Sequence, residues 1–470
     1  MKLTWLPGRH EAGIAISDDP DNGAIAGFKK IYDLLQRLHF PTSRAMWVFD
    51  PVEPTGTPSL PIRFFAPTLS DPECLEYCKE LHQKDFEICL HGASSGNNTR
   101  ERTIAAIEFM EREIGPLRTF ICHSKNAENL YWDHKCVPLP FLSFLVGLYS
   151  KNSCFGEVKG SNYFWGDICR NKVSYIRLFR TRQINTLAFN PSMPYHDFHM
   201  PYVNYWFSAT KGYLPRVCAP GRIDSLCKQR GAGIIYQYLH KYVDANGSID
   251  PRVQESLERM AGDRRIFISP VSLLLDRLRQ ARMVFLLSYD GKTFLINASN
   301  QPYNSVQLLF ERNETFQPME QGIFEIDPQR AILKSIGALS VFQIQAKNAL
   351  KTIPLKNVTM HSDIAEIRFP LGAIMANCSS HPITVTDRFP RLSRTYPRLR
   401  QLGPFEVKVF YFNDEAQRLE ILTPLSTAER YRLFYGQFKI LLREHLFLAR
   451  KISVSEYVKN TGKVENQANW

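Results

Sequence analysis

The sequence predicts an α/β protein: a parallel β/α barrel, then a β-rich region, then a terminal helix. Three observations lead there. Short apolar runs alternate with amphipathic helical stretches up to about residue 282, the order that builds parallel β/α units. His and Asp recur where those runs end, at Asp18/Asp19, His91, His123, Asp167 and His240. In a β/α barrel such ends converge on the face that carries active sites. After Met283, strand-like runs follow one another without long helices between them.

The elements follow in order. "GIAIS" (13–17) reads as the first strand, and a helix from Ala24 carries Ile25, Phe28, Ile31, Leu35 and Leu38 on one face. "AMWVF" (45–49) is the next strand. "DPECLEYCKELHQK" is a helix with Asp71 as cap and Pro72 in its first turn. "FEICLHG" ends at His91, and the helix after it starts from Asn98 or Thr99 and stops at Gly115. "RTFICHS", "YFWGD", "TLAFNPS" and "AGIIYQYLH" read as further strands, and "RIFIS" lies between the helices "DPRVQESLERMAG" and "PVSLLLDRLRQAR". "PLPFLSFLVGLYS" (138–150) is expected to be a buried helix, too short to cross a bilayer.

Beyond it, "MVFLLSYDGKTFLINAS" is a hairpin about Asp290-Gly291. "SVQLLFERN", "GIFEID", "AEIRFPLG", "ITVTD" and "FEVKVFYFN" continue as strands. From Ser426 a helix begins with a capping box completed by Glu429. The expected domains are 1–282 (barrel), 283–424 (β-rich, accessory) and 425–470 (helical segment and tail). No internal repeat is evident.

A hydrophobic fraction of 44% and a charged fraction of 22% are ordinary for a globular chain of 470 residues. The net charge of +12 suits an anionic partner or simply a basic surface. No nucleic-acid motif surrounds the densest basic stretch, 388–400, so no nucleic-acid partner is expected. Ten scattered cysteines without a CxxC pair read as reduced, mostly buried thiols. With no signal-peptide pattern and no apolar stretch of membrane-spanning length, a cytoplasmic location is expected.

Two adjacent carboxylates at a strand end repel each other and need a compensating cation or proton. The stretch Ala15-Ile16-Ser17-Asp18-Asp19-Pro20-Asp21 resembles the opening motif of the polysaccharide deacetylase (NodB homology, carbohydrate esterase family 4-like) superfamily. "LHGASSGNN" resembles that family's second motif, with His91 in place and Ser95 where its second histidine stands. "QYLHKYV" resembles its Leu-x-His motif through His240, without the spacer. The resemblance covers about 10–282 and implies a distorted barrel of the deacetylase type.

It further implies Asp18 as general base, Asp19 as metal ligand and His240 as catalytic acid. His91 follows as a second ligand, and His123, ending the next strand, substitutes for the missing imidazole. Such a set keeps a position open on a divalent ion, expected to be zinc. The ion activates water and polarises an amide carbonyl, Asp18 takes the proton, and His240 protonates the leaving amine. Asn126, Asp167, Tyr195, His196 and Asp197 are candidates for binding an acetylated glycan or sugar precursor. The C-terminal region offers an assembly surface.

Each assignment has a plainer alternative. Asp-Asp-Pro-Asp also makes a turn and helix cap, the histidines also serve as structural groups, and Asp167 and the asparagines also cap helices. Two other functions stay open. One is a carbohydrate-binding or assembly protein on a lapsed barrel. The other is a glycoside hydrolase, which needs a second carboxylate such as Asp167 across the sugar site.

Overall fold

The computed structural model describes residues 2–52, 65–123, 126–136, 140–148, 154–190 and 193–289, apart from Tyr195 and Phe198. Beyond these it describes 292–309, 323–327, 330–344, 350–353, 358–369, 372–404, 406–412 and 419–421, with Tyr435 and Phe438. The expected C-terminal helix lies outside the described residues but for Tyr435 and Phe438, which are helical. The chain divides into two compact units. One holds Ala12–Tyr195, His199–Leu274 and Leu425–Trp470; the other holds Met1–Glu11, His196–Phe198 and Leu275–Pro424.

The first unit is the barrel. Its strands are β1 (Ala12–Asp18), β2 (Ser43–Trp47), β3 (Glu87–Gly92), β4 (Thr119–Ile121), β5 (Tyr175–Thr181), β6 (Tyr205–Lys211) and β7 (Ala232–Gln237). Each runs parallel to the next, and β1 pairs with both β2 and β7, so seven strands close on themselves. An eighth, β8 (Ile266–Ile268), joins the start of β1. The expected β/α barrel followed by a β-rich region is therefore present.

The helices α1 (Ile25–Arg37), α2 (Pro72–Gln83) and α3 (Arg100–Glu113) form where apolar spacing and caps place them. Asp71 accepts from the backbone of Glu73 and Cys74, and Thr99 from Arg102. Phe28, Ile31, Tyr32, Leu34 and Leu35 of α1 pack into the same core as Ile14 and Ile16 of β1. Burial of each such large side chain stabilises by about 1.5–3 kcal/mol. All ten cysteines are free thiols, nine of them buried. Among the described residues no helix is long and apolar enough to cross a membrane.

Three expected elements differ. "YFWGD" makes a turn and opens the helix Gly166–Lys172. "TLAFNPS" opens as the helical turn Thr186–Phe189, capped by Asn185 accepting from the Ala188 N–H. The strands are instead β5, "YIRLFRT", and β6, "YWFSATK". Arginines inside "YIRLFRT" hide its strand pattern, because a buried arginine is tolerated only where a carboxylate meets it. The helix within "PLPFLSFLVGLYS" forms over Pro140–Gly147, but Phe141, Phe144 and Leu148 are 70%, 61% and 61% exposed rather than buried.

The second unit is β-rich, as expected, and includes the N-terminal strand Lys2–Pro7, which pairs antiparallel with Tyr303–Leu309. In the basic stretch, Leu392, Tyr396 and Leu399 turn into this unit's core. One feature was not legible as a repeat. Asn297 donates to the carbonyls of Gln301 and Gly337 and accepts from the Ser299 N–H; Asn377 donates to His381 and Gly403 and accepts from the Ser379 N–H. Around them Ala298 donates to Met283 and Cys378 to Asp363, and Val284↔Asn297 and Ile364↔Asn377 occupy the same hairpin register. "NASNQP" and "NCSSHP" are thus one turn used twice. Only Asn, Ser and Pro are shared, because those side chains carry the turn's hydrogen bonds and its exit.

Candidate metal centre

Adjacent residues at the end of β1 point to opposite sides, and each carboxylate meets its own arginine. Asp18 points outward, where its Oδ2 accepts from Arg44 Nη1 of β2 at 2.5 Å and from the Tyr32 hydroxyl, and its Oδ1 from the Leu239 N–H at 2.6 Å. Both Asp18 and Arg44 are fully buried, and the guanidinium lies over the Phe28 ring. Burial pushes the Asp18 carboxyl up, and Arg44 opposes it. Asp19 points the other way with Ser17. Its two oxygens accept from Arg177 Nη1 and Nη2 of β5, each at 2.7 Å, and Arg177 also reaches Ser17 Oγ. Beneath that guanidinium lies the Tyr236 ring, 4.0 Å away. The opening pair is therefore compensated twice by arginine.

The carboxylate that reaches the imidazoles is Asp21, where the sequence led us to expect Asp19. Past Pro20 the chain turns, with Gly23 N donating to Pro20 O at 3.0 Å and Asn22 at φ 60. Asparagine tolerates that left-handed conformation. A Cβ at Gly23 would lie 2.9 Å from the His240 ring, so only glycine admits this packing. His240 Nε2 sits 3.0 Å from Asp21 O and donates to it, bracing the turn. Burial, followed by Arg44 and Lys241, pushes His240 down to about 3, so it is uncharged at neutral pH.

His91 is the last residue but one of β3, and His123 stands two residues past β4. His91 Nε2 is 3.2 Å from Asp21 Oδ1, and His123 Nε2 is 3.9 Å from Asp21 Oδ2. The two rings are 5.2 Å apart, and Trp47 of β2 lies 5.3 Å from each. One ligand atom from each of Asp21, His91 and His123 falls within 4.8 Å of the others, and all three residues are buried. Burial raises the Asp21 carboxyl; without a metal, protonated imidazoles would outweigh it, through the charge of His123 and then the hydrogen bond and charge of His91, with Lys241 adding to them, and hold it well below the usual carboxylate range.

The far side of each imidazole favours a metal. His91 Nδ1 is 2.7 Å from the Ile121 carbonyl, so it donates there. His123 Nδ1 is 2.8 Å from Asn126 Oδ1. In the neutral rings both Nε2 lone pairs then face the Asp21 carboxylate, and atoms that would repel one another are reconciled by a cation among them. The residues present thus fit a divalent ion, with one carboxylate and two imidazoles as donors. A cleft of about 290 Å³, lined by Gly23, Trp47, Phe49, Phe65, Asp71 and Ser95 among others, shares Trp47 with this cluster.

The remaining expected residues are dispersed. Asn126 is buried behind His123 rather than lining the cleft. Asp167 is half-exposed and paired in two-pronged fashion with Arg100 at 2.6 and 2.8 Å. His196 and Asp197 belong to the β-rich unit, where His196 packs on Gly403. Tyr195 lies outside the described residues.

No family model matches the sequence, and no curated protein does. Among solved structures, similarity is found to PuuE allantoinase at 8% identity, over 59% of this chain and 93% of that one, with a TM-score of 0.34. A probable polysaccharide deacetylase from Pseudomonas aeruginosa PAO1 is 9% identical over 59% and 94%, with a TM-score of 0.33. Sph3 of Aspergillus clavatus, determined in complex with GalNAc, is 12% identical over 55% and 100%, at 0.27.

Arg44, Arg177, Asp21 and Glu128 were not singled out from sequence. The arginines had a signal: a charge within a strand facing a carboxylate pair that needs compensation. Asp21 had a weaker one, a third carboxylate just past the turn.

Proposed function

We propose that this chain is a metal-dependent hydrolase that removes the acetyl group from an N-acetylated sugar polymer or its precursor, with zinc held by Asp21, His91 and His123. The observation that carries the metal is the convergence of a buried carboxylate on two imidazoles whose Nδ1 atoms are both occupied. The acetylated sugar follows from the resemblance of the opening motif. When bound, the ion would supply Lewis acidity toward the amide carbonyl and a source of hydroxide near neutral pH.

The chain's own residues divide the remaining work. Asp19, on the same side of the strand end as Ser17 and near enough to act electrostatically on His123, is the general base; Arg177 compensates its charge and fixes both oxygens. Asp18 is a wall residue, and His240 holds the Asp21 turn instead of acting as an acid. Trp47, Phe49 and Phe65 offer the cleft aromatic surface for a sugar face. The β-rich unit serves binding or assembly.

The test is acetate release from N-acetylated oligosaccharides by the zinc-loaded protein. Asp19→Asn also strands the buried Arg177 and costs stability, so the rate is read per folded, zinc-loaded molecule: it should fall by about 10² to 10⁴, the usual loss for a general base, while the zinc content of the folded protein stays at the parent level. A zinc-loaded parent that releases no acetate from any such oligosaccharide would refute the activity.

A further inference from the structure

Behind His123 lies a buried polar cluster that takes no part in the proposed chemistry. Asn126 Nδ2 faces three oxygens: Glu128 Oε1 at 2.8 Å, Gly96 O at 2.8 Å and Ser94 O at 3.3 Å. Asn98 Nδ2 faces the same three, at 2.6, 2.7 and 3.2 Å, while the Asn98 N–H donates to Glu128 Oε2 at 3.1 Å. Asn98 Oδ1 is engaged by Ser94 Oγ at 2.7 Å. Asn98, Asn126 and Glu128 are each no more than 1% exposed.

This environment decides which way Asn126 points. Rotating its amide by half a turn would set Oδ1 against three acceptor oxygens in a buried site, where water cannot satisfy the groups left unpaired. The NH2 end is therefore fixed toward Glu128, Gly96 and Ser94, and Oδ1 is fixed toward His123. An oxygen cannot donate, so the proton between them belongs to His123 Nδ1. His91 obtains the same arrangement from the backbone carbonyl of Ile121.

We infer that Glu128 and Asn126 are positioning residues that lock His123 as the Nδ1–H tautomer and so aim its Nε2 lone pair at Asp21. The inference rests, for its purpose, on reading Asp21, His91 and His123 as a metal centre. It assigns Asn126 a place behind the ligand, where the sequence reading had it touching substrate. It also accounts for a glutamate buried among amides: Glu128 supplies an acceptor shared by both asparagines. Beside it, Gly92 has a backbone φ of 125, a conformation that side chains rarely adopt.

Tautomers can be read directly from long-range imidazole ¹⁵N–¹H correlations of the full-length chain after chelator treatment. His91 is the internal control, because backbone holds its Nδ1. The expected pattern is Nδ1–H for His123 in the parent. Asn126→Ala should convert His123 to a mixture with the Nε2–H form and leave His91 unchanged. Asn126→Asp keeps an acceptor at Nδ1, at the cost of setting its second oxygen against Glu128, Gly96 and Ser94, and its folded fraction should keep the parent tautomer. Zinc affinity, measured by competition with a chromophoric chelator, should fall roughly 10- to 100-fold in Asn126→Ala and recover in Asn126→Asp. An Nε2–H form in the parent, or an unchanged tautomer in Asn126→Ala, overturns the inference. If either variant fails to fold, the parent spectrum still decides. Expected tautomers in a parent that binds no zinc would support the lock and refute the metal centre.

Discussion

At the scale of single residues, the buried pair Asp18–Arg44 separates a structural role from a catalytic one. Removing one member of a fully buried ion pair strands the other, and such losses run to about 3–5 kcal/mol. Arg44→Met and Asp18→Asn should therefore each lower the urea midpoint strongly. The double change Asp18→Leu/Arg44→Met should recover much of the loss, since apolar replacement of both partners is often tolerated. Zinc content should persist in every variant that folds. Loss of zinc from folded Asp18→Asn would return Asp18 to the site.

Glu128 gives a pH signature. Burial is the largest influence on it and pushes its carboxyl up from 4.5 to about 7, against the hydrogen bonds from Asn98 and Asn126. Below 4.5 the native and unfolded chains both hold the proton, and this source of stability is complete. Between 4.5 and about 7 the unfolded chain releases a proton that the native chain retains, so stability falls as pH rises and levels off above that range. Urea midpoints across this window should decline more steeply in the parent than in Glu128→Gln; equal slopes would show that Glu128 does not titrate there. Of the site itself, sequence revealed the histidines, because a histidine ending an apolar strand stands out. It did not reveal which of three neighbouring carboxylates meets them, since that depends on where arginines from distant strands reach.

At the scale of elements, legibility followed local signals. The helices with side-chain caps at Asp71 and Thr99 form where capping chemistry and apolar spacing agree. β5 was hidden because Arg177 breaks its apolar run, and its compensation by Asp19 is a contact far apart in sequence. "TLAFNPS" has strand-like composition, but Asn185 caps a helical turn there. The twice-used turn escaped notice because its shared residues are few. Its asparagines should matter in similar measure: Asn297→Ala takes the side-chain donor from three backbone carbonyls and Asn377→Ala from two, and about 1–3 kcal/mol of stability should be lost in each case. A negligible change in thermal midpoint for either would mean that the side-chain bonds do not hold the turn.

At the scale of the whole molecule, the closed parallel barrel brings Asp21, His91 and His123 from the C-terminal ends of three separate strands to one place, which no single stretch of sequence could do. The seven-strand closure also brings β5 across from β1, so that Arg177 occupies Asp19 and leaves the imidazoles to Asp21. The most direct test of that arrangement is the zinc content of the purified, zinc-equilibrated chain and its variants, measured by elemental analysis alongside circular dichroism. About one ion per folded chain is expected for the parent and for whatever Asp19→Asn folds despite stranding Arg177, as for a single three-ligand site. Asp21→Asn and His91→Ala should fold and lose it. A parent that takes up no zinc, or a folded Asp21→Asn that retains a full equivalent, would contradict the metal centre.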